Sequence, residues 1–135
     1  MKIPVALTLI MISGCTASAE ACNVDPAMFC EPFKTLKSEM PDSVEKELLA
    51  LPKEDYWKLH HGFGTGIRNR FGLWQDNELT QFFRANGIAH PDGMSGPFIA
   101  GYVLYLQRKP VVMKDLLAAH RPPPPPPPPP EPKGD

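Results

Sequence analysis

The chain has 135 residues, a formal net charge of −1, and 21% charged and 42% hydrophobic residues. It carries no basic stripe to grip a phosphate backbone, so the composition argues against nucleic acid as a partner. Setting aside an apolar leader and a proline tail leaves roughly a hundred residues, enough for one small domain with a modest core.

The amino terminus reads "MKIPVALTLIMISGC". Lys2 supplies a basic start, and Ile3 to Ile12 form an apolar run. That run is shorter than the roughly 20 apolar residues a spanning helix needs, and it has the layout of a secretory signal. Ile12-Ser13-Gly14-Cys15 resembles a bacterial lipobox, in which the cysteine is lipidated and becomes the new first residue. On this reading residues 1–14 are a signal peptide and Cys15 carries lipid. More than one acyl chain would make the anchoring to the membrane stable. Thr16, not aspartate, follows the cysteine, which points to an outer-membrane lipoprotein facing the periplasm. The alternative is cleavage at Ala17-Ser18-Ala19, giving a soluble periplasmic or secreted protein. Loss of Lys2 with the signal leaves 13 basic against 15 acidic residues.

Of the three cysteines, lipid on Cys15 would leave Cys22 and Cys30 as a pair. An oxidising compartment favours a disulfide between them, and C-x7-C has no zinc-like spacing. Residues 15–40 are therefore expected to be a disordered tether carrying that disulfide, ahead of a helical domain over residues 41–120.

The predicted helices follow in chain order. In "PDSVEKELLALP", Asp42 is the expected cap, Glu45 completes a capping-box pattern, and Val44, Leu48 and Leu51 share a face. Pro52 ends that helix and opens the next, "KEDYWKLHHGF", with Tyr56, Leu59, His60 and Phe63 on one side. In "GIRNRFGLW", Ile67, Phe71 and Trp74 recur at helical spacing and are expected to face inward. "DNELTQFFRANG" is capped by Asp76 or Asn77, buries Leu79, Phe82 and Phe83, and stops at Gly87. "FIAGYVLYLQRK" is apolar almost all round and is the expected central helix, capped by Asp92 or Ser95, with Pro97 in its first turn. "VVMKDLLAAH" closes the domain. No run alternates with period two, so the expected fold class is all-α, a small bundle of five or six short helices. Residues 121–135 form the tail, whose nine consecutive prolines suit a polyproline II rod of roughly 28 Å. The tail can be read as a ligand for a proline-binding groove, as a stiff spacer, or as a run with no partner; the last is favoured.

Two polar clusters are the candidates for function. The first, "HHGFGTGIRNRFGLW", holds His60, His61, Arg68 and Asn69; the second, "HPDGMS", holds His90, Asp92 and Ser95. Adjacent helical histidines point about 100° apart, so His60 and His61 do not readily share a metal. His60 is expected as a hydrogen-bonded core residue. Gly62 and Gly66 are expected to admit a close neighbour, and Gly64 and Gly72 to mark a bend or cap. Arg68, Asn69 and Arg70 read either as a solvated face or as partners of Asp76, Glu78 or Asp92. Ser95 lies in no strand–turn–helix elbow, and no free cysteine remains as a nucleophile.

Together the clusters resemble an uncharacterised bacterial domain family with the pattern HHG-x-G-x-x-IRN-x-x-GLW, then GI-x-HPDDMS-x-x-I. The resemblance covers about Val44 to Pro110. It implies a shared small helical domain and no reaction. Gly93 stands where that pattern has a second aspartate, which weakens any mechanism needing both carboxylates. The expected function is an envelope lipoprotein whose helical domain binds a protein or cell-wall partner, with no cofactor and no metal assigned. The alternative is a small metal-binding or hydrolytic domain using His61, Arg68, His90 and Asp92.

Overall fold

The structure is a computed structural model and describes residues 21–121 and 126–128. The elements run β1 (Val24–Asp25), a 3-10 turn (Ala27–Phe29), α1 (Cys30–Glu39), α2 (Asp42–Ala50), a longer 3-10 segment (Lys53–Leu59), α3 (Phe63–Arg70), α4 (Glu78–Ala85), α5 (Pro91–Leu106), β2 (Val111–Val112) and α6 (Met113–His120). The fold is mostly helical, as the apolar spacing predicts. Cys15, the signal region and most of the proline tail lie outside the described residues.

The apolar helix α5 occupies the centre. Its side chains are buried on every side from Met94 to Val103, apart from Gly96. Phe98 meets Phe33 of α1 edge-on at 5.2 Å between ring centroids and lies at a 31° tilt against Phe71 at 5.0 Å. Phe29 packs against Phe82 and Phe83 of α4 at 5.3 and 5.7 Å. Edge-to-face pairs of this kind add to the area they bury. At Gly101 a Cβ would lie 2.8 Å from the Met113 sulfur and 3.1 Å from Phe33 Cζ, so glycine lets α1 and α6 close onto α5.

This packing corrects the expected tether. From Val24 onward the segment belongs to the domain, and Phe29 and Phe33 are fully buried in its core. Val24 and Asp25 pair in parallel with Val111 and Val112, a two-stranded sheet too short to show an alternating pattern in sequence. The Cys22–Cys30 disulfide closes the start of this segment onto α1. Closing so short a loop contributes about 2–3 kcal/mol.

Several local expectations also change. Pro41, not Asp42, caps α2; its extended backbone aims its carbonyl at the amides of Val44 and Glu45 at 3.0 and 3.1 Å. Glu45 is thereby left to take Lys37 at 2.9 Å in place of a capping box. The segment after Pro52 winds as a 3-10 helix, yet Tyr56, Leu59, His60 and Phe63 are all partly buried, as their shared face implies. Asn77 caps α4, with a reciprocal bond to Thr80, and Gly87 ends that helix's run at φ +89°. Gly72, at φ +62°, breaks the register after α3. Leu73 consequently turns into the core while Trp74, expected inside, is 56% exposed.

Tyr102 is fully buried on α5, its hydroxyl 3.8 Å from the Met40 sulfur. Burial, reinforced by the nearby Glu45 carboxylate and Tyr105, raises its pKa well above the ordinary phenol value. The neutral form is thus favoured in the fold. Its contribution is complete below about pH 10, the unfolded phenol pKa, and is lost as pH rises beyond that. Tyr102→Phe should leave stability at pH 7 within about 1 kcal/mol and flatten the loss of stability above pH 10. Urea melts across that range decide it; an unchanged alkaline limb in the variant would assign the loss to another group.

Candidate functional site

Arg68 sits in the last turn of α3, next to the start of α5, and is only 4% exposed. Of the two expectations for it, the solvated face fails and the pairing with Asp92 holds. Its Nη1 donates to Ser95 Oγ at 2.8 Å, and its Nη2 donates to Thr65 Oγ1 at 2.9 Å and to the His60 carbonyl at 3.3 Å. Its Nε lies 3.3 Å from Asp92 Oδ1, close enough for an ion pair but out of line for a hydrogen bond. The two hydroxyls pass the interaction on. Ser95 Oγ donates to the Asp92 carbonyl at 3.1 Å, and Thr65 Oγ1 donates to the His61 carbonyl.

One guanidinium therefore ties together the His60–His61 turn, α3 and the first turns of α5. A buried cation costs several kcal/mol unless its donors are matched. Here Nη1 and Nη2 are matched directly, and Asp92 balances the charge. Space for the group comes from Gly64, where a Cβ would sit 3.2 Å from Arg68 Nη1, 3.3 Å from the Leu59 carbonyl and 3.5 Å from Ser95 Oγ. Gly62 and Gly66, expected to admit a close neighbour, instead face open space along a shallow groove beside Phe63 and Met40.

His90 caps α5, a role expected of Asp92 or Ser95. Its Nδ1 accepts the Asp92 amide at 3.2 Å, Pro91 opens the helix, and Pro97 falls inside it. The Asp92 Oδ2 oxygen also lies 3.6 Å from His90 Nδ1. The exposed Trp74 ring meets His90 edge-on at 6.0 Å. His60 and His61 meet edge-on at 5.0 Å. His60 is half-buried, and it is its carbonyl that reaches Arg68; His61 is exposed. Asn69 is exposed on α3, outside Arg68's hydrogen bonds. Arg70 pairs with Glu39 of α1 at 2.6 Å, a partner the sequence reading missed, and that bond lowers the Glu39 pKa.

The structure thus gathers Arg68, Ser95, Asp92, His90 and the His60–His61 backbone, and leaves Asn69 apart. Thr65 is the member that sequence reasoning missed; its position three residues before Arg68, on the same helical face, is the signal that could have found it. Chemically the cluster is a clamp. Arg68 has engaged its Nη donors, and the Ser95 hydroxyl donates to a carbonyl and not to a base. Among the described residues, no group of three or more His, Cys, Asp or Glu side chains is placed to hold a metal ion.

These features define a small helical domain in which a buried arginine fastens α3 to the amino-terminal end of the central helix. A family model described as a domain of unknown function, DUF6794, matches residues 26–106, more than half of the chain, and the chain belongs to that family. The match begins at Pro26, so it takes in the core-forming α1. No curated protein and no solved structure matches the chain.

Arg68→Ala should destabilise the domain by about 2–4 kcal/mol, because it strands Ser95 and the His60 carbonyl. Ser95→Ala should cost about 1 kcal/mol. Trp74→Ala, at an exposed position, should stay within about 0.5 kcal/mol of the parent. Thermal melts of the three variants test this order. If Trp74→Ala proves the most damaging, the assignment of core and clamp fails.

Proposed function

We propose that this chain is an exported lipoprotein, lipidated on Cys15 and held at the outer membrane facing the periplasm. Its helical domain binds an envelope protein or cell-wall partner through the face around Trp74 and His90. The anchor reading rests on Ile12-Ser13-Gly14-Cys15. The Cys22–Cys30 disulfide fits an extracytoplasmic protein. Among the described residues no helix is long and apolar enough to cross a membrane.

The observation that carries the binding reading is the exposed Trp74 ring set edge-on to His90, directly beside the clamp. Tryptophan dominates binding energy when it meets a partner on a rigid, dehydrated patch. Arg68 supplies the rigidity by fixing the turns on either side. Trp57 is also exposed, with the Lys58 ammonium 5.7 Å over its ring; Trp74 differs in being braced by a second aromatic ring. Binding is favoured over the hydrolytic or metal reading with His61, Arg68, His90 and Asp92 because the Arg68 donors and the Asp92 backbone are already committed to holding the fold.

Cys15→Ser should move the protein from the membrane fraction to the soluble fraction. A native mature chain beginning at Glu20 by intact mass would replace the lipoprotein with the soluble periplasmic alternative. In envelope crosslinking, Trp74→Ala should lose the parent's adducts while melting at the parent's temperature. Adducts undiminished by Trp74→Ala would remove this face from the reading.

A further inference from the structure

A cavity of about 690 Å³ opens beside the disulfide, at the opposite end of α5 from the arginine clamp. Lys34 and Lys37 of α1 line one side, and Arg108 and Lys109, from the turn after α5, line the other. Glu45 is the carboxylate on the lining, and it is joined to Lys37 at 2.9 Å. Lys34 meets Glu31 at 3.1 Å in an exposed pair that water screens. The lining is thus strongly cationic in a chain whose overall charge is −1. The concentration of charge is local to this face.

Arg108 adds an independent observation. The Lys109 amide donates to the Leu104 carbonyl and the Arg108 amide to the Tyr105 carbonyl, both at 3.0 Å. This is the helix ending in which the left-handed residue is usually glycine. Arg108 holds that position at φ +56°, the one non-glycine positive φ among the described residues. A side chain there works against the backbone preference, and it places a cation on the rim of the cavity. Ala21 and Cys22 also line the cavity, six and seven residues after Cys15. Six extended residues reach at most about 20 Å. A lipid on Cys15 would hold this face against the headgroups.

We propose that this cavity receives the phosphate of an anionic phospholipid headgroup, so that the domain sits on the bilayer surface with the cationic end down. The orientation rests on the lipoprotein reading; the binding does not require the lipid. The test therefore uses the mature chain with Cys15→Ser, which carries no lipid. It should co-sediment with phosphatidylcholine vesicles containing phosphatidylglycerol, and not with phosphatidylcholine alone, and added salt should release it. Each cation removed should weaken binding about fivefold, in Arg108→Gly and in Lys109→Gln alike. Lys109→Gln, at an exposed position, should melt at the parent temperature. Weaker binding in a protein of unchanged stability cannot come from misfolding. Equal binding to both vesicle types, no binding to either, or parent-like binding by the Arg108→Gly/Lys109→Gln double variant overturns the proposal. Calorimetric binding of inorganic phosphate without vesicle binding also overturns it, in favour of a free anion. Fractionation of the Cys15→Ser chain in cells reads the anchor separately.

Discussion

Helix α5 has no polar face. From Met94 to Val103 all but one of its residues are buried, and a helix that is apolar all round must be covered on every side. The other helices are short and each can cover only one strip of it. The domain therefore needs several of them, and it needs the amino-terminal segment as well. Without Phe29 and Phe33 the rings of Phe83 and Phe98 would lose their neighbours on one side. The two-stranded pairing of Val24 with Val111 and the Cys22–Cys30 disulfide hold that segment in place. In a domain of this size, stability is the small remainder of large opposing contributions. A short disulfide loop is then a meaningful share of it.

The same demand explains the position of Arg68. Covering an apolar helix leaves its amino-terminal amides and the adjoining turns to be satisfied by polar groups. His90 takes the Asp92 amide, and Ser95 takes the Asp92 carbonyl. Arg68 joins these to the His60–His61 turn from the neighbouring helix. The apolar packing sets where α3 and α5 touch. The guanidinium, with its fixed planar array of donors, sets how they are aligned at that end.

The residues that drew attention in the sequence were the right ones, but their roles were partly exchanged. Helical spacing located α2, α3 and α4, because each has a strip of apolar residues at the proper period, and α5 stood out as a run apolar almost all round. It failed at Trp74, because a single left-handed glycine, Gly72, resets the register and puts Leu73 inside in its place. It failed at Arg68 for a different reason: charge marks a residue as solvated, and only the combination of Gly64, Thr65 and Ser95 in space makes burial affordable. The segment from residue 15 to 40 was read as a tether from its mixed composition and cysteines. Yet Phe29, Phe33, Leu36 and Met40 recur at i, i+4, i+7 and i+11, the spacing of a buried helical face. The parallel strand pair was not legible at all, since two residues cannot display a period.

The domain therefore has two chemically different ends. At the amino-terminal end of α5, an aromatic pair, Trp74 and His90, stands on a clamped turn. At the carboxyl-terminal end, Lys34, Lys37, Arg108 and Lys109 surround a cavity next to the Cys22–Cys30 disulfide. The 16 residues of α5 separate these ends by about 24 Å at 1.5 Å per residue. A packed helix of that length is stiff, so a membrane-facing cationic end would present the aromatic end at a fixed height above the headgroups. On that reading the all-round burial of α5 would serve placement as well as stability, because it keeps this 16-residue helix from tilting relative to the elements that carry each end.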